Sequence, residues 1–90
     1  MAASLLAWVG RDVVLDLSAP LVVLGRLERV TPDGLLLRDA DVHELLPGAT
    51  TKERYVLEAR KHGIRRNRAL VWIRIEQLVG VSPLDDVVLY

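Results

Sequence analysis

The 90-residue chain has no cysteine and no phenylalanine, and only 4% of its residues are aromatic. Without cysteine there is no disulfide framework and no thiolate metal site. No basic n-region followed by a long apolar h-region opens the sequence, so no signal peptide is evident. The longest apolar runs reach about five residues, far short of a membrane span. Nor is there a surplus of charge of one sign: twelve Lys/Arg balance twelve Asp/Glu. No His-x-x-x-His and no Gly-rich phosphate loop occurs, and His43 and His62 fall on different elements. His43-Glu44 beside Asp39 and Asp41 reads as a solvated strand end rather than a metal site. Nothing supplies a base against Ser4, so a nucleophilic enzyme is not expected.

What the chain does have is aliphatic residues. Hydrophobic side chains make up 51% of it, and mean hydropathy is +0.26. A chain of this length builds one core, 1–90, and small domains bury a small share of their surface. Surplus apolar residues point to surface hidden by association, and the expectation is a soluble, cytoplasmic oligomer. Charge is also unevenly distributed. Residues 52–74 hold eight Lys/Arg against Glu53 and Glu58, a net +6 balanced by −6 elsewhere. A local basic surface, or merely a solvated insert, follows from that asymmetry.

The organising stretch is Leu21 to Ala40. Val23, Gly25 and Leu27 share one face of a strand, with Arg26 and Glu28 opposite; after the turn, Leu35 and Leu37 resume the buried face. Thr31-Pro32-Asp33-Gly34 is turn chemistry: Pro32 pre-sets φ, and Gly34 is expected to take φ > 0. Gly25 inside a strand predicts a sharp bend or a close backbone approach, as a small barrel requires.

These residues carry a resemblance. Gly25-x-Leu27-x-x-Val30, a turn, then Leu35-x-Leu37-x-Asp39-Ala40 is similar to the first motif of the Sm and Sm-like (LSm) proteins. Ile73-Arg74-Ile75 stands where that family has Ile-Arg-Gly between its last two strands. The resemblance spans roughly residues 4 to 83 and identifies the chain as a divergent, bacterial-type member. It implies a mostly β fold: a strongly bent, five-stranded antiparallel small barrel with an N-terminal helix, here with a helical insert between strands 3 and 4.

In chain order, Ser4 to Val9 is expected to form one or two helical turns, with Ser4 as N-cap, Trp8 as a lid over the barrel end and Gly10 as the stop. Strand 1 is Arg11–Leu17. Strand 3 continues past Asp39 towards Leu45, and Pro47-Gly48 ends it. In the insert, 46–68, Thr50-Thr51-Lys52-Glu53 reads as a capping box with Thr50 at the N-cap, and Gly63 as the αL stop, giving a helix over 51–62. The β propensity of Tyr55 to Ala59 leaves a strand as the alternative. Ile64 to Arg68 is a basic loop. Strand 4, Ala69 to Arg74, is apolar from Leu70 to Ile73, which predicts burial on both faces; Leu78 to Ser82 reads similarly. Residues 84–90 form a tail of unsettled structure.

As the resemblance implies, such proteins form rings that hold RNA near a central pore, through the loops after the second and fourth strands. Arg74 matches the pore arginine, and Asp39-Ala40 the structural acidic turn. The family's base-reading Asp-x-aromatic-x-Asn has no counterpart in Thr31–Gly34, which has neither the aromatic nor the asparagine. The candidate RNA-binding residues are therefore Arg74, Gln77 and Asp33, with Arg65, Arg66 and Arg68 as phosphate contacts. No catalytic residue, metal or cofactor is expected. The partners expected are other copies in a hexameric or heptameric ring and single-stranded RNA, with no membrane. The rival reading is a structural or protein-interaction ring without an RNA site; a monomeric, translation-factor-like small barrel is the third.

Overall fold

The computed structural model describes residues 5–48 and 51–88. Five antiparallel strands form one sheet: β1 (Asp12–Leu17), β2 (Leu21–Thr31), β3 (Gly34–Glu44), β4 (Arg68–Arg74) and β5 (Leu78–Pro83). Their spatial order is β4-β3-β2-β1-β5. The two edge strands, β4 and β5, are consecutive in sequence and joined only by a 3-10 turn, Ile75–Gln77. They do not pair with each other, so among the described residues the outer edges of β4 and β5 are both free.

The sheet bends where β2 and β3 fall out of step. Leu24 faces Asp41 but Arg26 faces Arg38, so Asp39 and Ala40 oppose Gly25. That extra residue is a bulge, and Asp39 takes φ of 52°, which asparagine and aspartate tolerate best among L-residues. Gly25 belongs there for lack of space: a Cβ on it would lie 2.9 Å from Ala40 Cβ and 3.2 Å from Leu37 Cδ2. The bend expected at Gly25 is thus a close approach.

Gly34 departs from expectation. It does not adopt positive φ; β2 and β3 turn tightly over Pro32-Asp33, with Thr31 pairing with Gly34. A side chain is excluded at Gly34 because a Cβ would collide with the Ile73 carbonyl oxygen of β4 and sit 3.0 Å from Trp72 Cζ2. Contact with the neighbouring strand, not turn geometry, selects glycine.

Alternation along the strands divides the single core expected into two clusters, one on each side of the sheet. Val13, Leu15, Val23, Leu27, Leu35, Leu37 and Ala40 fill the inner one, with Leu5 and partly buried Trp8 packed at its end. The opening segment runs from a helical Leu5 into a 3-10 turn, Leu6–Trp8; Ser4, expected as its cap, lies outside the described residues. On the outer face, Val14, Val22 and Leu24 are covered by Val56 of α1 (Lys52–His62) and by Leu84 of a 3-10 turn, Leu84–Asp86.

Helix, not strand, is therefore the state of Tyr55–Ala59. The N-cap is Thr51, whose hydroxyl accepts from Arg54 N at 3.3 Å, one residue later than the expected Thr50, which lies outside the described residues. Arg60, Lys61 and His62 complement the helix C-terminus, and Gly63 follows with φ of 93° but ψ of 166°, a glycine-favouring stop outside the αL region expected.

The predicted two-sided burial of β4 is not found in the single chain. Leu70 is 47% exposed and Trp72 44% exposed, because α1 covers the outer face only over β1, β2 and the far end of β3. On β5, Val79 is 73% exposed. Among the described residues no helix is long and apolar enough to cross a membrane.

Candidate nucleic-acid interface

Two loops distant in sequence meet at one end of the sheet. Gly34 pairs with Arg74 at the last rung of the β3–β4 ladder. Ile75 N then donates to Asp33 O at 2.8 Å, tying the β2–β3 turn to the β4–β5 connection. The turn is braced internally, since Asp33 N donates to Thr31 Oγ1 at 3.2 Å. Proline at the first turn position and glycine packed under β4 hold Asp33 beside the base of Arg74.

Arg74 ends β4 with its side chain 74% exposed, and its Nε lies 3.0 Å from Glu76 Oε2. The guanidinium is thus tethered to a neighbour in sequence while keeping donors free. An ion pair this exposed contributes at most about 1 kcal/mol, so it yields readily to a competing anion. Gln77 turns away: its Oε1 accepts from Ser18 Oγ at 2.9 Å and its carbonyl from Ser18 N at 2.8 Å. Gln77 thereby fastens the β4–β5 connection to the β1–β2 loop.

Arg65, Arg66 and Arg68 stand elsewhere. Arg68 pairs with Ala40 at the opposite end of β4 from Arg74, about 20 Å away at strand spacing. Arg66 Nη1 lies 2.8 Å from Asp39 Oδ1, and Arg26 Nη2 lies 3.6 Å from the other oxygen. Arg66 therefore clamps the bulge. Arg68 donates to Asn67 O at 3.1 Å. Of the six candidates, then, Asp33 and Arg74 come together, Gln77 is turned away to Ser18, and the three loop arginines stand apart from them.

Sequence reading missed Asn67 and Asp41. Asn67 N donates to Ala40 O, its Oδ1 accepts from Val42 N, and its Nδ2 reaches both Val42 O and Asp41 Oδ1 at 3.0 Å. The amide imitates a strand neighbour where β4 has not yet begun. Asp41 is buried, contrary to the solvated strand end expected. Burial raises its carboxyl above the ordinary value, opposed by His43 and Arg65. His43 stacks on Tyr55 with ring centroids 3.7 Å apart, so it braces α1. The one sequence signal was an asparagine amid arginines just ahead of a strand.

The fold of this chain recurs in solved structures. An Sm protein of Pyrococcus abyssii in complex with a uridine heptamer is 17% identical, with a TM-score of 0.63 over 90% of this chain and 93% of that one. The chain has the Sm fold. The heptamer of the P. aerophilum Sm protein SmAP1 is 24% identical, at TM-score 0.60 over 92% of this chain and 90% of that one. A heptameric archaeal Sm protein gives 24% identity and TM-score 0.59 over 90% and 96%. All three are archaeal, so the bacterial-type subclass expected from sequence has no counterpart among them. No protein-family model and no curated protein matches the sequence.

Proposed function

We propose that the chain is a non-enzymatic subunit of a closed ring that binds single-stranded RNA at its pore, with Arg74 and Asp33 at the site. The observation that carries this reading is the Ile75–Asp33 junction, which sets an exposed arginine beside a turn in a chain with the Sm fold. The Arg74 fork can hold a phosphate or a base edge. Ring closure is supported by the free β4 and β5 edges. Leu70, Trp72 and Val79 leave them too apolar to stay uncovered without templating aggregation, and head-to-tail pairing of β4 with the next subunit's β5 closes a cyclic assembly. Two solved neighbours are heptamers and a third is in complex with a uridine heptamer; six or seven copies is the expectation here.

A salt series with labelled single-stranded RNA tests the reading, beside the mass from sedimentation. The parent binds as a ring. Arg74→Ala keeps the ring and its melting temperature, weakens RNA binding, and lowers the log–log salt slope by about 0.7 per lost phosphate contact. A second reading, an interaction ring without RNA, is favoured by the Arg74–Glu76 pair and by the lack of an aromatic and an asparagine in the β2–β3 turn. It predicts no RNA binding even at low salt. Replacing Arg65, Arg66 and Arg68 together tests these loop arginines apart from the pore. A one-chain mass at micromolar concentration refutes both readings.

A further inference from the structure

One face of α1, from Arg54 to His62, and the segment after it border a cavity of about 450 Å³ against β3, lined by Asp41, Arg54, Tyr55, Glu58, Ile64 and Arg65 among others. It lies near the loop arginines, away from Arg74, and exists because of the insert. At the cavity Asp41 is only 5% exposed. Its Oδ1 accepts from Asn67 Nδ2, and neither carboxylate oxygen is a fully buried atom left without a partner. A carboxylate at the wall of a cavity accepts from N–H donors that enter it. Ile64, Ala59 and the Tyr55 ring, the last fixed by its stack on His43, supply apolar wall. Arg54 and Arg65 offer planar forks suited to phosphate, while Glu58, exposed and 3.4 Å from His62, puts one carboxylate on the same wall.

We propose that this cavity is a guanine-nucleotide site, with the guanine N1–H and N2–H donors on Asp41 and the phosphate between Arg54 and Arg65. The chemistry excludes the simpler occupants. An inorganic anion would meet a carboxylate, and a cation would meet two arginines. Adenine sets its ring nitrogen acceptor beside its single amino donor, so it cannot satisfy a carboxylate with two adjacent N–H groups; guanine can. The volume suits a mononucleotide. Burial that holds Asp41 above its ordinary pKa leaves the charged form short of donors, and the ligand supplies them. The guanine can come as a free mononucleotide or as one residue of a single strand.

Calorimetric titration of the full chain with GMP, IMP and AMP tests the site. GMP binds best; IMP, lacking the amino donor, binds about tenfold or more weakly, as expected for losing a hydrogen bond to a charged group. Asp41→Asn erases the GMP-over-IMP preference. Arg54→Ala and Arg65→Ala, both on exposed residues, weaken GMP but not guanosine, and remain informative if the Asp41 variant does not fold. A short single strand with one guanine forms the second arm: binding there that depends on Asp41, without GMP binding, assigns the site to RNA. Arg74→Ala leaves GMP binding intact, so failure of the pore reading is distinguishable. Equal affinity for GMP and IMP, or no Asp41-dependent binding of either GMP or the strand, overturns the proposal.

Discussion

Gly34→Ala adds one methyl group at the point where β3 presses on β4. The added carbon would fall within the van der Waals envelope of the Ile73 carbonyl oxygen, 3.1 Å from its carbon and 3.0 Å from Trp72 Cζ2. A side chain could rotate away, but a carbonyl in a ladder cannot. The strands must separate at their last rung, where Gly34 pairs with Arg74 and Ile75 N reaches Asp33 O at 2.8 Å. Overpacking against a rigid neighbour costs about 1–3 kcal/mol. Losing the Ile75–Asp33 bond adds about 0.5–1.5 kcal/mol, so the total is near 3 kcal/mol. For a domain of this size each kcal/mol lowers Tm by roughly 4–8 °C, giving a fall of about 12–24 °C in a circular-dichroism melt. A fall under about 4 °C would show that the strands have slack there and that the reasoning about Gly34 is wrong.

Gly25→Val places a branched side chain against Ala40 at the bulge and should cost about 1–3 kcal/mol; an unchanged melting temperature contradicts the close approach. Asn67→Ala strips Val42 N and Asp41 Oδ1 of partners and should cost about 1 kcal/mol, low in the range for unsatisfied groups because Asn67 is itself exposed. A urea midpoint equal to the parent's would remove Asn67 from the account of how β3 is completed. The raised Asp41 carboxyl makes the native state bind its proton more tightly than the unfolded chain does. Its unfavourable contribution is therefore full above the folded pKa and vanishes as pH falls through that value towards the ordinary aspartate range. Asp41→Asn should gain on the parent most at neutral pH and lose that advantage on acidification to about pH 4; a difference that stays flat with pH refutes it.

Most of the fold was legible because its signals are local. Alternation at Val23–Leu27 and Leu35–Leu37, the turn at Pro32-Asp33, and Gly25 inside a strand each act within a few residues. The 11-residue helix followed from its C-terminal cations and glycine, although its cap moved from Thr50 to Thr51. What failed depended on contacts across the sheet. The reason for Gly34 lies in β4, some forty residues away, and no turn rule contains it. The apolar run Leu70–Ile73 was read as buried twice over, yet burial on its outer face depends on how far α1 extends. For the candidate site, Arg74 and Asp33 were picked separately, and only the Ile75–Asp33 junction shows that they adjoin. Gln77 and Arg66 looked like free polar groups in sequence and proved to be tied to Ser18 and Asp39.

The pairing of β1 with β5 joins Val13 to Pro83, and this governs the order in which the chain can fold. β1, β2 and β3 are successive and can form as a meander while the chain is still being made. Nothing covers the second edge of β1 until β5 arrives some sixty residues later. During synthesis, Val13, Leu15 and Val23 would thus belong to a half-built sheet with one side of its inner core open. Closing contacts so remote in sequence is slow compared with forming hairpins. In that interval the unpaired edge of β1 is open to the β5 of another nascent chain, so the same pairing that completes the subunit is also its route to domain-swapped misassembly.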